Sequence, residues 1–199
     1  VHETNFAYRF ALDQESKNYS SAIVLSRQKI EHVDELSSEV GFERGLYCVY
    51  EDDHYDEVIV ASGAEVVLGY QVIQFLKSKN IHGFKLISAL STKLFENQSS
   101  EYKESIVGDK NAQYLCIEAS DALHLRAILP RDSLFVDVST FGLSGKDSDL
   151  SEYFGFNVEQ IANLIQEKWK ISSDRAGSGN TTNIGSIQGT LREFREGHG

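Results

Sequence analysis

An arginine at the end of an apolar run is the first chemically suggestive feature of this chain. Ile23-Val24-Leu25 reads as a buried strand and stops abruptly at Ser26-Arg27-Gln28-Lys29. At the C-terminal end of a strand in an α/β fold, a side chain points to where such folds bind ligands. Arg27 can serve there, or it can be a plain chain-exit charge that reaches water. Other combinations fall short of a site. The six histidines are scattered: His54 lies in the acidic run EDDHYDE and reads as a surface residue, and His124, on a helix after a strand end, reads as a surface or interface residue. The carboxylates of EDDHYDE suit a weak divalent ion at best, and the run reads better as a solvated turn. Ser144 in GLSG misses the nucleophile-elbow spacing by one residue, and Lys146 beside it reads as solvated. ASGAEVVLG lacks both the P-loop lysine and the three-glycine dinucleotide fingerprint, and no Cys/His set has zinc spacing. Residue by residue, this is a ligand-capable domain without an assembled active site.

The elements that must position these side chains alternate. Residues 3–17 place Phe6, Ala7, Phe10 and Ala11 at helical spacing, which predicts a helix packing one face. The SAIVLS strand follows, then the polar connection RQKIEHVDELSSEV and a short apolar strand around residues 45–50. Beyond the EDDHYDE turn, EVIVAS predicts a strand with Gly63 at the turn after it. AEVVLGYQVIQFLKSKN predicts an amphipathic helix stepping through Val67, Tyr70, Ile73, Gln74 and Leu76 or Lys77. Strands GFKLISAL, AQYLCIEA and SLFVDV then alternate with helices SSEYKESIV and SDALHLRAIL. DSDLSEYFG and NVEQIANLIQEKWK predict closing helices, with Asn157 as N-cap of the last. Such alternation predicts a mostly parallel sheet covered on both faces, with right-handed crossovers.

Composition bounds the rest. With 199 residues, 41% apolar and 25% charged, the chain can bury a sizeable core. Its 19 basic and 30 acidic side chains leave a formal charge of −11, which disfavours a general nucleic-acid surface but not a local anion site. No apolar stretch approaches membrane-spanning length, and the N-terminus resembles no secretion signal. Cys48 and Cys116 sit in separate strand-like runs and read as buried thiols of a reduced, cytoplasmic protein. The chain starts at Val1 and has no methionine, which suggests a fragment or a processed piece. After Ile171 the Gly, Ser, Asn and Thr content rises and the apolar period disappears, as in a flexible or appended tail.

Three stretches resemble the transketolases. SAIVLSRQKI resembles the strand and loop that close the family's pyrimidine-binding domain, where a Ser-Arg-Gln core recurs. Residues 59–107 follow the opening half of its C-terminal domain: Ser-Gly-x-Glu-Val, a helix, a strand, Phe-x-x-Gln, then Tyr-x-x-Ser-Ile. Phe-Gly-x-Ser-Gly-Lys at 141–146 and Phe-Gly-Phe at 154–156 resemble that domain's end. The similarity covers about residues 3–170, in order. It implies residues 1–40 as the end of the pyrimidine-binding domain, 41–171 as the C-terminal domain and 172–199 as the tail. The fold implied is a three-layer α/β/α sandwich around a five-stranded, mostly parallel sheet, with RGLYCVY as its one antiparallel strand.

The same resemblance implies a function. The parent enzyme would be a cytoplasmic homodimer that moves a two-carbon ketol unit between sugar phosphates, using thiamine diphosphate and a divalent metal (Mg or Ca). Arg27, by its place in Ser-Arg-Gln, would bind the substrate phosphate. The diphosphate-binding Gly-Asp-Gly…Asn motif and the cofactor-activating glutamate lie in parts of the family absent from this sequence, so this chain alone should bind no cofactor and catalyse nothing. Rival readings are dihydroxyacetone synthase, a pyruvate dehydrogenase beta subunit, or a non-catalytic module for dimerisation or a regulatory ligand. The Phe-Gly-x-Ser-Gly-Lys ending argues against the pyruvate dehydrogenase branch. Departures are the missing prolines around Ala89-Leu90 and Gly108, and the lack of the aromatic that commonly follows EASDALHLRAIL, so no role passes to His124.

Overall fold

The runs EVIVA, FKLISA and QYLCIE are apolar along most of their length, the pattern of strands covered on both faces. In the computed structural model, which describes residues 2–13, 20–26, 33, 36 and 38–172, they form the middle of a five-stranded sheet. The strands are β1 (Leu46–Glu51), β2 (Glu57–Ala61), β3 (Phe84–Ala89), β4 (Gln113–Glu118) and β5 (Leu134–Asp137), in spatial order β1-β3-β2-β4-β5. β2 pairs in parallel with β3 and β4, and β4 with β5, while β1 alone runs antiparallel, along β3. The helices are α1 (His2–Leu12), α2 (Glu39–Arg44), α3 (Glu65–Ser78), α4 (Thr92–Glu96), α5 (Ser100–Val107), α6 (Leu123–Arg126), α7 (Asp147–Phe154) and α8 (Val158–Trp169).

Side chains alternate across each strand, so each strand feeds two cores. On one face Ile59, Leu86, Leu115 and Ile117 meet α3 and α8 through Val72, Ile73, Leu76, Ile161 and Ile165. On the other, Val58, Val60, Ile87 and Cys116 meet Phe95 of α4, Ile106 of α5 and Leu125 of α6. The result is the expected three-layer α/β/α sandwich with one antiparallel strand. The inward face of α3 is shifted from the one predicted: Ile73 and Leu76 are buried as expected, but with Val66, Gly69 and Val72, while Val67 and Tyr70 are half-buried and Gln74 is exposed. Gly69 sets that choice. A Cβ there would lie 2.9 Å from Leu86 Cδ1 and 3.2 Å from Ile59 Cγ2, so the glycine lets the helix backbone approach the sheet.

Several local expectations change in the tertiary setting. SAIVLS is not a buried strand: residues 20–26 join no ladder, and Val24 and Leu25 are 93% and 50% exposed. A strand needs a neighbour to take its backbone groups, and none of the five described strands is adjacent in the sheet to this run. The connection before β1 contains α2, capped by Ser38 Oγ accepting from Gly41 N at 3.1 Å, and α4 follows β3 with Ser91 as its cap. SDALHLRAIL yields only the four-residue α6. EDDHYDE is not wholly solvated: Asp52 accepts from Lys77 Nζ at 2.8 Å, Gly83 N at 2.9 Å, Phe84 N at 3.1 Å and the Tyr50 hydroxyl. The unusual loops are explained by their bonds. Leu90 N donates to Gly45 O at 2.8 Å and Gly108 N to Glu104 O at 2.9 Å, and a proline at either position would lose that bond.

Candidate functional site

Arg27 lies outside the described residues, as do its neighbours Gln28 and Lys29 and the whole of 173–199. His54, Ser144 and Lys146 are exposed and are not brought together. Cys48 and Cys116 are in no disulfide, and burial pushes each thiol up to about 12, so both stay protonated at neutral pH. The residues that do converge stand at the C-terminal ends of the parallel strands.

β2 leads into α3 on one face of the sheet, and its neighbour β4 leads into α6 on the other. Chains leaving adjacent parallel strands toward opposite faces open a crevice between them, the position at which α/β sheets bind ligands. Ser62 and Glu118 meet there: Ser62 Oγ donates to Glu118 Oε2 at 2.6 Å. The other oxygen, Oε1, accepts from Ser120 N at 3.1 Å and Ser120 Oγ at 2.9 Å, which satisfies a carboxylate that the fold buries. His124 Nε2 stands 3.9 Å from Glu118 Oε2. At the head of α3, burial pushes the Glu65 carboxyl up to about 7; its own backbone N–H opposes the shift and the charge of Glu118 adds to it.

One strand further on, Asp137 accepts from Arg126 Nη2 at 2.7 Å and from Ala122 N at 3.3 Å, and the Arg126 guanidinium lies 3.7 Å from the centre of the Phe135 ring. Arg126, the arginine of this edge among the described residues, is therefore already engaged with a carboxylate. The carboxylates of Glu118 and Asp137 at this edge oppose the approach of a phosphate. Among the described residues no three or more His, Cys, Asp and Glu side chains gather to hold a metal ion. The signal for this cluster was present but ambiguous. Ser62-Gly63-Ala64-Glu65 matches a capping box, yet the N-cap is Ala64 without a side-chain bond, because Ser62 reaches across to Glu118.

The end motif has a structural basis. Phe141 to Lys146 form an exposed loop after β5, and α7 ends at Gly155 in the left-handed conformation, φ 83°. Phe156 N then donates to Ser151 O at 2.7 Å, closing the helix end in a way that a glycine between the two phenylalanines permits without strain.

Comparison with known proteins agrees with this architecture. The family model described as transketolase-like TK C-terminal domain matches residues 45–157. A model described as restriction endonuclease EcoRV matches residues 144–199, less than a third of the chain, and shows no family. The transketolase of Aquifex aeolicus is 31% identical over 172 residues, 85% of this chain and 24% of that protein. That of Staphylococcus epidermidis is 31% identical over 167 residues, 82% of this chain and 25% of its own length. The chain thus spans about a quarter of the length of these relatives. Among solved structures, Pichia stipitis transketolase in complex with sedoheptulose-7-phosphate superposes with a TM-score of 0.73 at 28% identity, covering 83% of this chain and 23% of that one. Leishmania mexicana transketolase gives 0.72 at 26% identity, over 94% and 26%. With its sheet order, its single antiparallel strand and a family match over more than half its length, this chain belongs to the transketolase family, as a transketolase-like C-terminal domain.

Proposed function

We propose that the chain is the C-terminal portion of a transketolase, a transferase that moves a two-carbon ketol unit between sugar phosphates with thiamine diphosphate and a divalent metal. The similarity to relatives named transketolase, over 85% of the chain, carries this reading. A relative solved with sedoheptulose-7-phosphate supports sugar phosphates as the substrate class. In this reading residues 1–40 end the pyrimidine-binding domain, 41–171 form the C-terminal domain and 172–199 are an appended tail. The parent is a cytoplasmic homodimer, and this chain contributes support and part of the dimer contact.

The residues present do not fit the cofactor. No Gly-Asp-Gly…Asn motif occurs in the sequence, and the described carboxylates do not gather around a cation position. No step through the cofactor is assigned to this chain. Its contribution to the reaction is Arg27, whose planar fork of donors grips the terminal phosphate of the substrate and orients it. The acidic edge around Glu118 is no competitor for that role, since its own arginine is bound to Asp137.

Kinetics of the complete enzyme with Arg27→Ala test this. Charge-assisted hydrogen bonds of about 1.5–3 kcal/mol are lost, so kcat/KM for phosphorylated acceptors falls about ten- to a hundredfold. Short acceptors without a phosphate are almost unaffected, and Arg27→Lys recovers part of the loss. An equal loss on both kinds of acceptor would make Arg27 a chain-exit charge with no substrate role.

A further inference from the structure

α1 is held to the sheet by a contact that no sequence pattern announces. Glu3, Phe6, Ala7 and Phe10 share its inner face, while Tyr8 and Leu12 are exposed on the other. Tyr47 and Ser88 stand opposite each other in the antiparallel β1–β3 pair and so point to the same side of the sheet. Both donate to one atom, Glu3 Oε1: the Tyr47 hydroxyl at 2.6 Å and Ser88 Oγ at 2.8 Å. The two residues are only 4% and 0% exposed, so water cannot replace that acceptor without the helix moving. Tyr47 Oη is itself an acceptor, from Ser38 N at 3.3 Å, which leaves its proton to Glu3.

The other contacts of α1 are less selective. Phe6 and Phe10 lie 6.2 and 5.9 Å from the Phe42 ring, an apolar contact that tolerates sliding. The Arg9–Glu39 ion pair at 2.6 Å is 69% and 49% exposed, and exposed pairs contribute little. Among these three contacts the carboxylate alone has a defined acceptor position between two buried donors. Burial, and after it the charge of Glu3, raise the Tyr47 hydroxyl above its usual range, so it stays protonated and remains a donor.

We infer that the β1–β3 edge is a seat for a helix of signature Glu-x-x-Phe-x-x-x-Phe, and that Glu3 is the polar key that locks α1 into it. Under the proposed function, on which this extension rests, α1 belongs to the preceding domain and the seat is the joint between domains. Loss of the key leaves the two buried hydroxyls only each other, two donors with one acceptor too few, and frees the helix while the sheet stays intact.

Hydrogen exchange on the full chain tests the key. In Glu3→Leu, the amides of Phe6 to Leu12 should exchange at least tenfold faster, with β2 and β4 unchanged. Glu3→Gln keeps an acceptor oxygen in place and should stay within about threefold of the parent chain. In a Tyr47→Phe/Ser88→Ala background the donors are gone, so adding Glu3→Leu should accelerate α1 no further. Unchanged α1 exchange in Glu3→Leu, an equal loss in Glu3→Gln, or full acceleration without the donors would each overturn the inference. Should Glu3→Leu unfold the sheet as well, the triple variant decides: recovery supports the key and continued unfolding overturns it. Exchange needs neither cofactor nor substrate, so failure of the transketolase reading would not move the result.

Discussion

Two carboxyl groups that look alike in the sequence titrate in opposite directions. Burial pushes Asp52 up, but hydrogen bonds from Lys77, Tyr50 and the backbone of Phe84 and Gly83 outweigh it and hold the group below its usual range. Glu65 is more deeply buried and lacks those donors: only its own backbone N–H favours the charge, and Glu118 opposes it. The folded chain therefore keeps a proton on Glu65 to about pH 7, whereas the unfolded chain releases it near 4.5. The stability contributed by this group is full below 4.5 and is lost as pH rises through about 7. With solvent screening of a partly exposed group, the loss is about 2 kcal/mol. Glu65→Gln should accordingly be about 2 kcal/mol more stable than the parent chain at about pH 8, and nearly equal to it at acid pH. Urea unfolding at the two pH values measures this; a parallel pH dependence in both proteins would place the titrating group elsewhere. Asp52 has the opposite sign, since its contribution is present above its ordinary value and is lost as pH falls below it.

For α3, propensity and packing pull apart at one position. Alanine in place of glycine inside a helix is ordinarily worth up to about 1 kcal/mol. At Gly69 the added methyl lands against Leu86 and Ile59, both fully buried, so either those side chains leave their rotamers or the helix lifts from the sheet. Gly69→Ala should therefore be destabilised by about 1–2 kcal/mol in spite of the better propensity. A chemical-denaturation midpoint higher than that of the parent chain would mean that α3 can rise without cost. The last helix shows the opposite case, in which local and global preferences agree. Asn157 Oδ1 accepts from Gln160 N at 2.8 Å, and Ile161, Ala162, Ile165 and Trp169 then fall on the buried face.

At the scale of the molecule, the sandwich closes with α8, and the Gly, Ser, Asn and Thr content of 173–199 leads to the expectation that this segment adds little to stability, since ordering costs about 1–2 kcal/mol per residue. Truncation after Ser172 should leave the melting temperature within about 2 °C of the full chain. A drop of several degrees in a thermal scan would show that the segment docks. Other exposed apolar groups, Val24, Leu25, Phe141 and Tyr153, lie outside both cores. No helix among the described residues is long and apolar enough to cross a membrane.

The family resemblance supplied the antiparallel direction of β1; the patterns of the sequence itself determined the five strands of the sandwich, most of its covering helices and the Asn157 cap. Each of these depends on residues a few positions apart, through the period of two in strands and of 3.6 in helices. The sequence also carried the family, because the motifs keep their order along the chain. Only the tertiary structure decided the side-chain partners. Ser62 and Glu118 are 56 positions apart, and Glu3 and Ser88 are 85 apart, and they meet because of strand order and register. An apolar pattern specifies that a strand is covered, not which strand lies beside it. The same limit explains SAIVLS, whose pattern is that of a strand, but whose backbone finds no neighbour among the strands described here.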